Sequence, residues 1–201
     1  SPLPKNKVIL YCGRLHPEKG IELLLQAFQL ACQRGLTDWT LRLVGSADVP
    51  EGGGGRLWIE RLILMQKNAG IPVEWIGPIY DEPSLQSEYQ QAPIFVYPSL
   101  ADKGESFGMA PLEAMAFGAV PIVSSVACFQ DFIKSGTNGL IFDHRSSDSI
   151  SSLASDILRL SSNSILCQEL SAATLAVRHS HHPSKIADNF LHLFGALSHR
   201  T

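Results

Sequence analysis

Two cations, five residues apart, follow the first apolar run of the chain. The segment 13–20 reads GRLHPEKG, so Arg14 and Lys19 lie between two glycines and directly before a helical pattern. A guanidinium makes forked hydrogen bonds to phosphate oxygens, an ammonium adds a compact charge, and a helix N-terminus favours anions. Gly13 allows the backbone to approach a ligand closely. The segment therefore predicts an anion site, with a diphosphate as the favoured ligand and two solvated loop cations as the alternative.

Two glutamates, eight positions apart, form a second group. Glu105 lies in a predicted loop and Glu113 in the helix that follows it. Carboxylates accept hydrogen bonds from neighbouring hydroxyls, so the pair suits the sugars on either side of a diphosphate. The alternatives are a solvated loop residue for Glu105 and a carboxylate facing the helix dipole for Glu113. Gly108 permits a tight turn. We expect the backbone N–H groups that follow it to face the anion, namely those of Met109, Ala110 and Leu112.

Several other classes of site are disfavoured. Neither GxxxxGK[ST] nor GxGxxG follows the first strand, which argues against an NTPase and a nicotinamide-dependent dehydrogenase. A net charge of -3 argues against general nucleic-acid binding. The histidines at 179, 181 and 182 have no companion ligand at metal-binding spacing. Four cysteines without CxxC spacing are expected to be free thiols in a reducing cytoplasm.

The elements that must position these residues alternate along the chain. Short apolar runs at 8–11, 39–44, 73–76, 94–97, 120–123 and 140–142 predict strands. Helical periodicity predicts helices at 21–35, 57–69, 84–91 and 110–117, with further apolar stripes at 150–158 and 186–197. Such alternation is typical of a doubly wound α/β domain, a parallel sheet with helices on both faces. Ligands of these sheets bind beyond the carboxyl ends of the strands, where both charged segments fall. The glycine-rich segment 49–55 is expected to be a mobile loop.

The charged segments together resemble a known family. Residues 105–123, ESFGMAPLEAMAFGAVPIV, resemble the E-x7-E segment of the group 1 glycosyltransferases, which are retaining nucleotide-sugar enzymes of the GT-B fold. GRLHPEKG resembles the diphosphate loop of that family. Shorter motifs follow in the family's order: LVG at 43–45, WIG at 75–77, YPS at 97–99 and NGLIF at 138–142. The resemblance covers about residues 8–160 and implies the Rossmann-like C-terminal lobe of a GT-B enzyme.

The resemblance implies a role for each matching residue. Arg14 and Lys19 would hold the donor diphosphate and stabilise charge on the departing nucleotide. Glu105 would contact the donor sugar, and with these two cations it forms the implied catalytic set. Glu113 would bind the ribose hydroxyls. Backbone groups at Ile79 would contact the base, and Tyr80 is expected to pack near them. The remaining implied donor-binding residues act mainly through the backbone: Gly13, Ile79, Phe107, Gly108, Met109, Ala110 and Leu112.

Two segments depart from the family pattern. Where the family often has Gly-x-Gly after the second strand, this chain has Gly45 followed by Ser46 and no second glycine. Where the family often has Gly-Gly followed by Pro-Glu, residues 126–131 read VACFQD, with Asp131 in place of the glutamate. These departures leave the donor contacts of the first loop and the backbone geometry of the second open.

The resemblance also implies an organisation and an activity. Residues 1–201 are interpreted as one nucleotide-sugar-binding domain with a linker at 1–7, and the N-terminal acceptor lobe is absent from this chain. The implied reaction transfers a hexosyl group, glucose being favoured, from a UDP-sugar to a saccharide acceptor in bacterial polysaccharide biosynthesis. It needs no cofactor or metal. The expected location is the cytoplasm, with peripheral association of the full-length protein at the inner membrane face. The alternatives are a catalytically silent nucleotide-sugar-binding module and an unrelated Rossmann-like domain, such as an epimerase lobe or a dehydrogenase domain.

Overall fold

A six-stranded parallel sheet forms the centre of the computed structural model, which describes residues 6–101, 104–182 and 184–185. The strand order is β3-β2-β1-β4-β5-β6, and every neighbouring pair is parallel. The predicted doubly wound α/β fold is therefore confirmed. The strands are β1 (Val8–Cys12), β2 (Thr40–Val44), β3 (Val73–Gly77), β4 (Ile94–Tyr97), β5 (Val120–Ser124) and β6 (Leu140–Phe142).

Burial follows the position of each strand in the sheet. β4 and β5 are buried along their whole length, and β1 is buried except at its last residue. Their unbroken apolar sequences are what a strand covered on both faces requires. β3 lies at one edge and alternates, with Glu74 and Ile76 exposed. The apolar runs thus predicted the central strands well, because only there does each side chain face a packed layer.

The described helices cover both faces of the sheet. Right-handed crossovers that leave β1 and β4 in opposite directions must carry their helices to opposite faces. α5 packs against α1, and α4 contacts α6 and α7. None of the helices in the described ranges is long and apolar enough to cross a bilayer. The helices are α1 (Ile21–Gln33), α2 (Arg56–Ala69), α3 (Glu82–Gln91), α4 (Met109–Ala116), α5 (Ser149–Ser162), α6 (Ser164–Thr174) and α7 (Val177–Ser180).

The predicted helices agree with these bounds to within a few residues. The stripe at 150–158 lies in α5, and Asp81 caps α3 by accepting a hydrogen bond from the Ser84 N–H, so that helix begins two residues earlier than predicted. The stripe at 186–197 lies outside the described residues.

The sheet order reverses between β1 and β4, which creates a crevice at the carboxyl ends of these strands. The loops that follow the two strands touch there. The Leu100 N–H donates to the Glu18 carbonyl oxygen at 2.7 Å. Gly20 has φ 71°, and a Cβ at this position would overlap the Pro98 carbonyl oxygen. Both charged segments of the sequence therefore meet at the switch point, where doubly wound sheets bind ligands.

The glycine-rich segment 49–55 has defined backbone partners. A short 3-10 helix, Val49–Glu51, opens it. The N–H of Gly53 donates to the Asp48 carbonyl, and that of Gly54 to the Leu15 carbonyl, both at 2.8 Å. A Cβ at either glycine would overlap neighbouring atoms. The expected mobile loop is thus held against the loop that follows β1, and its glycines serve close packing.

Candidate functional site

An ion pair between Lys19 and Glu105 lies at the centre of the crevice. Their charged atoms are 2.7 Å apart, although 86 positions separate the two residues in sequence. The side chains are only 6% and 10% exposed. Ser99 Oγ also donates to the same carboxylate oxygen at 2.9 Å, and the ammonium lies 5.8 Å from the ring centre of Tyr97. A buried charge needs such partners, so each member of the pair depends on the other.

Arg14 lies at the mouth of the crevice with its side chain about half exposed. Its guanidinium donates to the Gly52 carbonyl at 2.9 Å and to Glu18 Oε1 at 3.0 Å. The same Glu18 oxygen lies 3.9 Å from Lys19 Nζ. One anionic oxygen can therefore be within 4 Å of both predicted diphosphate-binding cations, as the Glu18 carboxylate demonstrates.

The N-terminus of α4 lies in the loop that carries Glu105. Gly108 has φ 81° and precedes the helix, and a Cβ there would overlap the Phe129 ring. The first N–H groups of a helix have no acceptor within it, which leaves those of Met109 and Ala110 available. The Leu112 N–H donates to the Gly108 carbonyl at 3.4 Å, and its expected contact with an anion stays a prediction. This is the first hydrogen bond of the helix, so the N–H groups before Pro111 have no acceptor within it.

Glu113 is the fifth residue of α4, beyond its first turn. The helix dipole acts mainly within that turn, so the dipole explanation of this carboxylate is weakened. Glu113 Oε2 instead accepts a hydrogen bond from the Tyr89 hydroxyl at 2.9 Å. The half-buried Cys12, the last residue of β1, also contacts that hydroxyl, so the carboxylate lies at the carboxyl end of this strand.

Phe107 packs among aromatic side chains. Its ring lies 5.6 Å from that of Phe132 and 6.1 Å from the imidazole of His181. His181, singled out in the sequence as part of a histidine cluster, thus contacts aromatic rings at the end of α7. Within the described ranges, no group of three or more His, Cys, Asp or Glu residues could hold a metal ion.

The loop after β3 carries Ile79 and Tyr80. Ile79 is partly buried against the core, whereas Tyr80 is 76% exposed. The Tyr80 hydroxyl donates to Glu51 at 2.6 Å, which ties this loop to the one that follows β2. That hydrogen bond lowers the pKa of Glu51 and raises the pKa of Tyr80. The expected backbone contact of Ile79 with a nucleobase stays a prediction.

The two segments that depart from the family pattern have structural partners of their own. Ser46 is buried, its carbonyl accepts from the Leu15 N–H at 2.8 Å, and its Oγ accepts from the Asp48 N–H at 3.1 Å. Asp131 is exposed at the end of a 3-10 helix, Ala127–Asp131.

Sequence reasoning missed four polar or aromatic partners in the crevice. Glu18 lies inside the quoted diphosphate loop, and Tyr97 and Ser99 lie inside the quoted YPS motif, so a signal existed for these three. No sequence signal pointed to Tyr89, because a single tyrosine on a helical face predicts only burial.

The fold and the crevice define the class of Rossmann-like α/β domains that bind ligands at a topological switch point. Within that class, the chain belongs to the group 1 glycosyl transferases, whose family model matches residues 2–175. This membership confirms the predicted family and removes the alternative of an unrelated Rossmann-like domain.

Curated relatives support the same family. The chain is 34% identical over 145 residues to an uncharacterised glycosyltransferase of Methanocaldococcus jannaschii, covering 72% of the chain and 34% of the relative. It is 33% identical to the O-antigen chain mannosyltransferase B of Escherichia coli, covering 71% and 34%. It is 32% identical to the lipopolysaccharide 1,2-N-acetylglucosaminetransferase of Salmonella typhimurium, covering 71% and 37%. The chain thus spans about a third of the length of these relatives.

Solved structures share the fold. Anabaena HepE in complex with UDP and glucose matches with a TM-score of 0.77 and 20% identity, covering 96% of this chain and 49% of that one. Sucrose-phosphate synthase from Thermosynechococcus elongatus matches with a TM-score of 0.79 and 25% identity, covering 100% and 47%. The sheet with its helices therefore corresponds to one half of a GT-B glycosyltransferase.

Proposed function

We propose that this chain is the donor-binding domain of a retaining glycosyltransferase that transfers a hexosyl group from a UDP-sugar to a saccharide hydroxyl. The observation that carries the proposal is the position of Glu18 Oε1, 3.0 Å from Arg14 and 3.9 Å from Lys19. A diphosphate oxygen at this place would replace one carboxylate oxygen and keep both cations. The N-terminus of α4 would add its N–H groups from the other side of the crevice.

These groups suit the charge that develops during the reaction. As the nucleotide departs, negative charge grows on the diphosphate. Arg14, Lys19 and the helix N-terminus are already oriented, so they stabilise that charge without reorganisation. Removing one such donor costs about 10² to 10³ in rate in other enzymes. No divalent metal is required in this scheme.

Glu105 is suited to hold the donor sugar. The hydrogen bonds from Lys19 and Ser99 both end on its Oε2, which leaves acceptor capacity on the other oxygen for sugar hydroxyls. In the same scheme Glu113 accepts hydrogen bonds from the ribose hydroxyls, and Ile79 contacts the base through its backbone.

The choice of UDP and glucose rests on a structural relative. HepE is described in complex with UDP and glucose, whereas the curated relatives are named as a mannosyltransferase and an N-acetylglucosaminetransferase. The acceptor is proposed to be a saccharide of a bacterial surface polysaccharide, reached in the cytoplasm at the inner membrane face. Its binding would require the remainder of a two-lobe enzyme.

Calorimetric titration of the chain with UDP, GDP and ADP, with and without EDTA, tests the proposal. We expect UDP to bind with micromolar affinity that EDTA does not change. Arg14→Ala and Lys19→Ala should abolish binding. Lys67→Ala is the matched control, because Lys67 is an exposed cation in the last turn of α2, at the opposite end of the sheet.

The results separate the alternatives. Binding of UDP that requires Arg14 and Lys19 but not Lys67 would support the donor site, whereas tighter binding of GDP or ADP would contradict the choice of base. Donor turnover by the two-lobe enzyme would establish catalysis. Nucleotide binding without any transfer or donor hydrolysis would favour the catalytically silent module.

A further inference from the structure

We propose that Tyr89 is a positioning residue for Glu113 and thereby sets the preference of the site for ribonucleotides over deoxyribonucleotides. This inference rests on the proposed function, in which Glu113 binds the ribose hydroxyls. It assigns a role to a residue that belongs to none of the motifs, since Tyr89 lies on α3.

The contact between the two side chains is direct and shielded from water. The Tyr89 hydroxyl donates to Glu113 Oε2 at 2.9 Å, and Tyr89 is only 2% exposed. A hydrogen bond to an ionised acceptor is stronger than one between neutral groups, more so away from water. The bond therefore holds one carboxylate oxygen in place.

The tyrosine ring is itself held from two sides. It stacks on Phe117, with centroids 5.9 Å apart and an interplanar angle of 7°. It also meets Phe95 of β4 at 6.0 Å and 53°. A ring packed in this way has one position for its hydroxyl. The location of the Glu113 carboxylate is consequently fixed by the packing of α3 and α4 on the sheet.

Protonation keeps the hydroxyl a donor. Burial, followed by the nearby Cys12 and Glu113, raises the pKa of Tyr89. Burial likewise raises the pKa of the Cys12 thiol to about 11. Both neighbours of the carboxylate are therefore neutral at pH 7. Glu113 differs in this from Glu105, which lies against the Lys19 ammonium.

This geometry suits recognition of a ribose. With Oε2 held by Tyr89, the other oxygen of Glu113 is oriented for a sugar hydroxyl, and Oε2 retains a second lone pair for the neighbouring one. Without the Tyr89 hydroxyl the carboxylate would sample other rotamers, and fixing it again on binding would weaken affinity. Only a ligand that uses the carboxylate would show this loss.

Titration of Tyr89→Phe with UDP and with 2′,3′-dideoxy-UDP tests the inference. We expect the variant to bind UDP about 10-fold more weakly, near the low end for loss of one hydrogen bond to a charged group. Affinity for the dideoxy nucleotide, which lacks both hydroxyls, should change less than about 2-fold. Glu113→Gln should abolish the preference for UDP, and adding Tyr89→Phe to it should cause no further loss.

Ser171→Ala is the matched control, since it removes a part-buried hydroxyl that donates to the Gly118 carbonyl, beyond the far end of α4 from the crevice. It should leave the ratio of the two affinities unchanged. If the wild-type chain bound neither nucleotide, the proposed function would fail, and this inference with it. If Glu113→Gln lost the preference for UDP but Tyr89→Phe kept it, only the inference would be overturned. An equal loss for both nucleotides in Tyr89→Phe would reveal a merely structural role and would overturn it too.

Discussion

At the scale of single residues, the crevice couples stability to function through Lys19 and Glu105. Neither side chain is exposed enough for water to solvate its charge, so each charge is stabilised by the other. Lys19 has a second carboxylate, Glu18, at 3.9 Å, whereas Glu105 has only hydroxyl donors besides the ammonium among the contacts described above. The pair is therefore asymmetric, and the carboxylate depends more on the ammonium than the reverse.

Lys19→Met should lower the free energy of unfolding by about 3 kcal/mol, the low end for breaking a buried ion pair, because Ser99 still donates to Glu105. Glu105→Gln should cost less, since Lys19 keeps Glu18. The double variant should be more stable than Lys19→Met alone, because no uncompensated charge remains. Urea denaturation without ligand measures all three. A double variant less stable than Lys19→Met would show that the ion pair is not the reason for the loss.

At the scale of elements, the site depends on how closely the loop after β1 approaches the loop after β4. Gly20 both adopts the left-handed conformation before α1 and makes room for the Pro98 carbonyl. Gly108 similarly precedes α4 and lies against Phe129. In each case the glycine allows a helix N-terminus to lie at the crevice, since a side chain would overlap the Pro98 carbonyl at Gly20 or the Phe129 ring at Gly108.

Gly20→Ala and Gly70→Ala separate the cost of the left-handed backbone conformation from the cost of the contact with the Pro98 carbonyl. Both glycines have φ in the left-handed region, 71° and 63°, but nothing lies within 4 Å of a Cβ at Gly70. Gly70→Ala should therefore cost only the backbone strain, about 1 kcal/mol. Gly20→Ala should cost at least about 2 kcal/mol more, because the loops must move apart. Urea denaturation compares the free energies of unfolding of the two variants. Equal losses of stability would mean that overlap with the Pro98 carbonyl does not destabilise Gly20→Ala.

At the scale of the whole molecule, one apolar core contains side chains from both halves of the sheet. It joins side chains of β1 and β2 to those of β4, β5 and β6 and includes residues of α5. The tryptophans lie on one side of the switch point, in or beside the elements from β2 to β3, and pack against this core: Trp39, Trp58 and Trp75.

We therefore expect the chain to unfold as one cooperative unit. Tryptophan fluorescence reports the half around β2 and β3, while far-ultraviolet circular dichroism includes α4, α5 and α6 on the other half. The two signals should give the same urea midpoint, because a shared core couples the halves. Separate midpoints would contradict the prediction of a single domain.

Local patterns in the sequence were sufficient for much of this molecule. Apolar runs and helical periodicity depend on neighbours within a few residues, so they located the strands and the helices through α5. The same local chemistry indicated Arg14, Lys19, Glu105 and Glu113 as candidate donor-binding residues, a role that stays a prediction. The same patterns did not show that the Leu112 N–H donates to the Gly108 carbonyl, because that bond depends on where the helix begins.

The sequence by itself determined the alternation of strands and helices, the family, and the loops that carry charge. Each of these depends on residues that are contiguous in the chain. Only the tertiary structure decided which distant side chains meet. The strand order brings Lys19 to Glu105 across 86 positions, and the packing of α3 on the sheet brings Tyr89 to Glu113. No local pattern encodes these contacts, because they follow from the direction in which each crossover leaves the sheet.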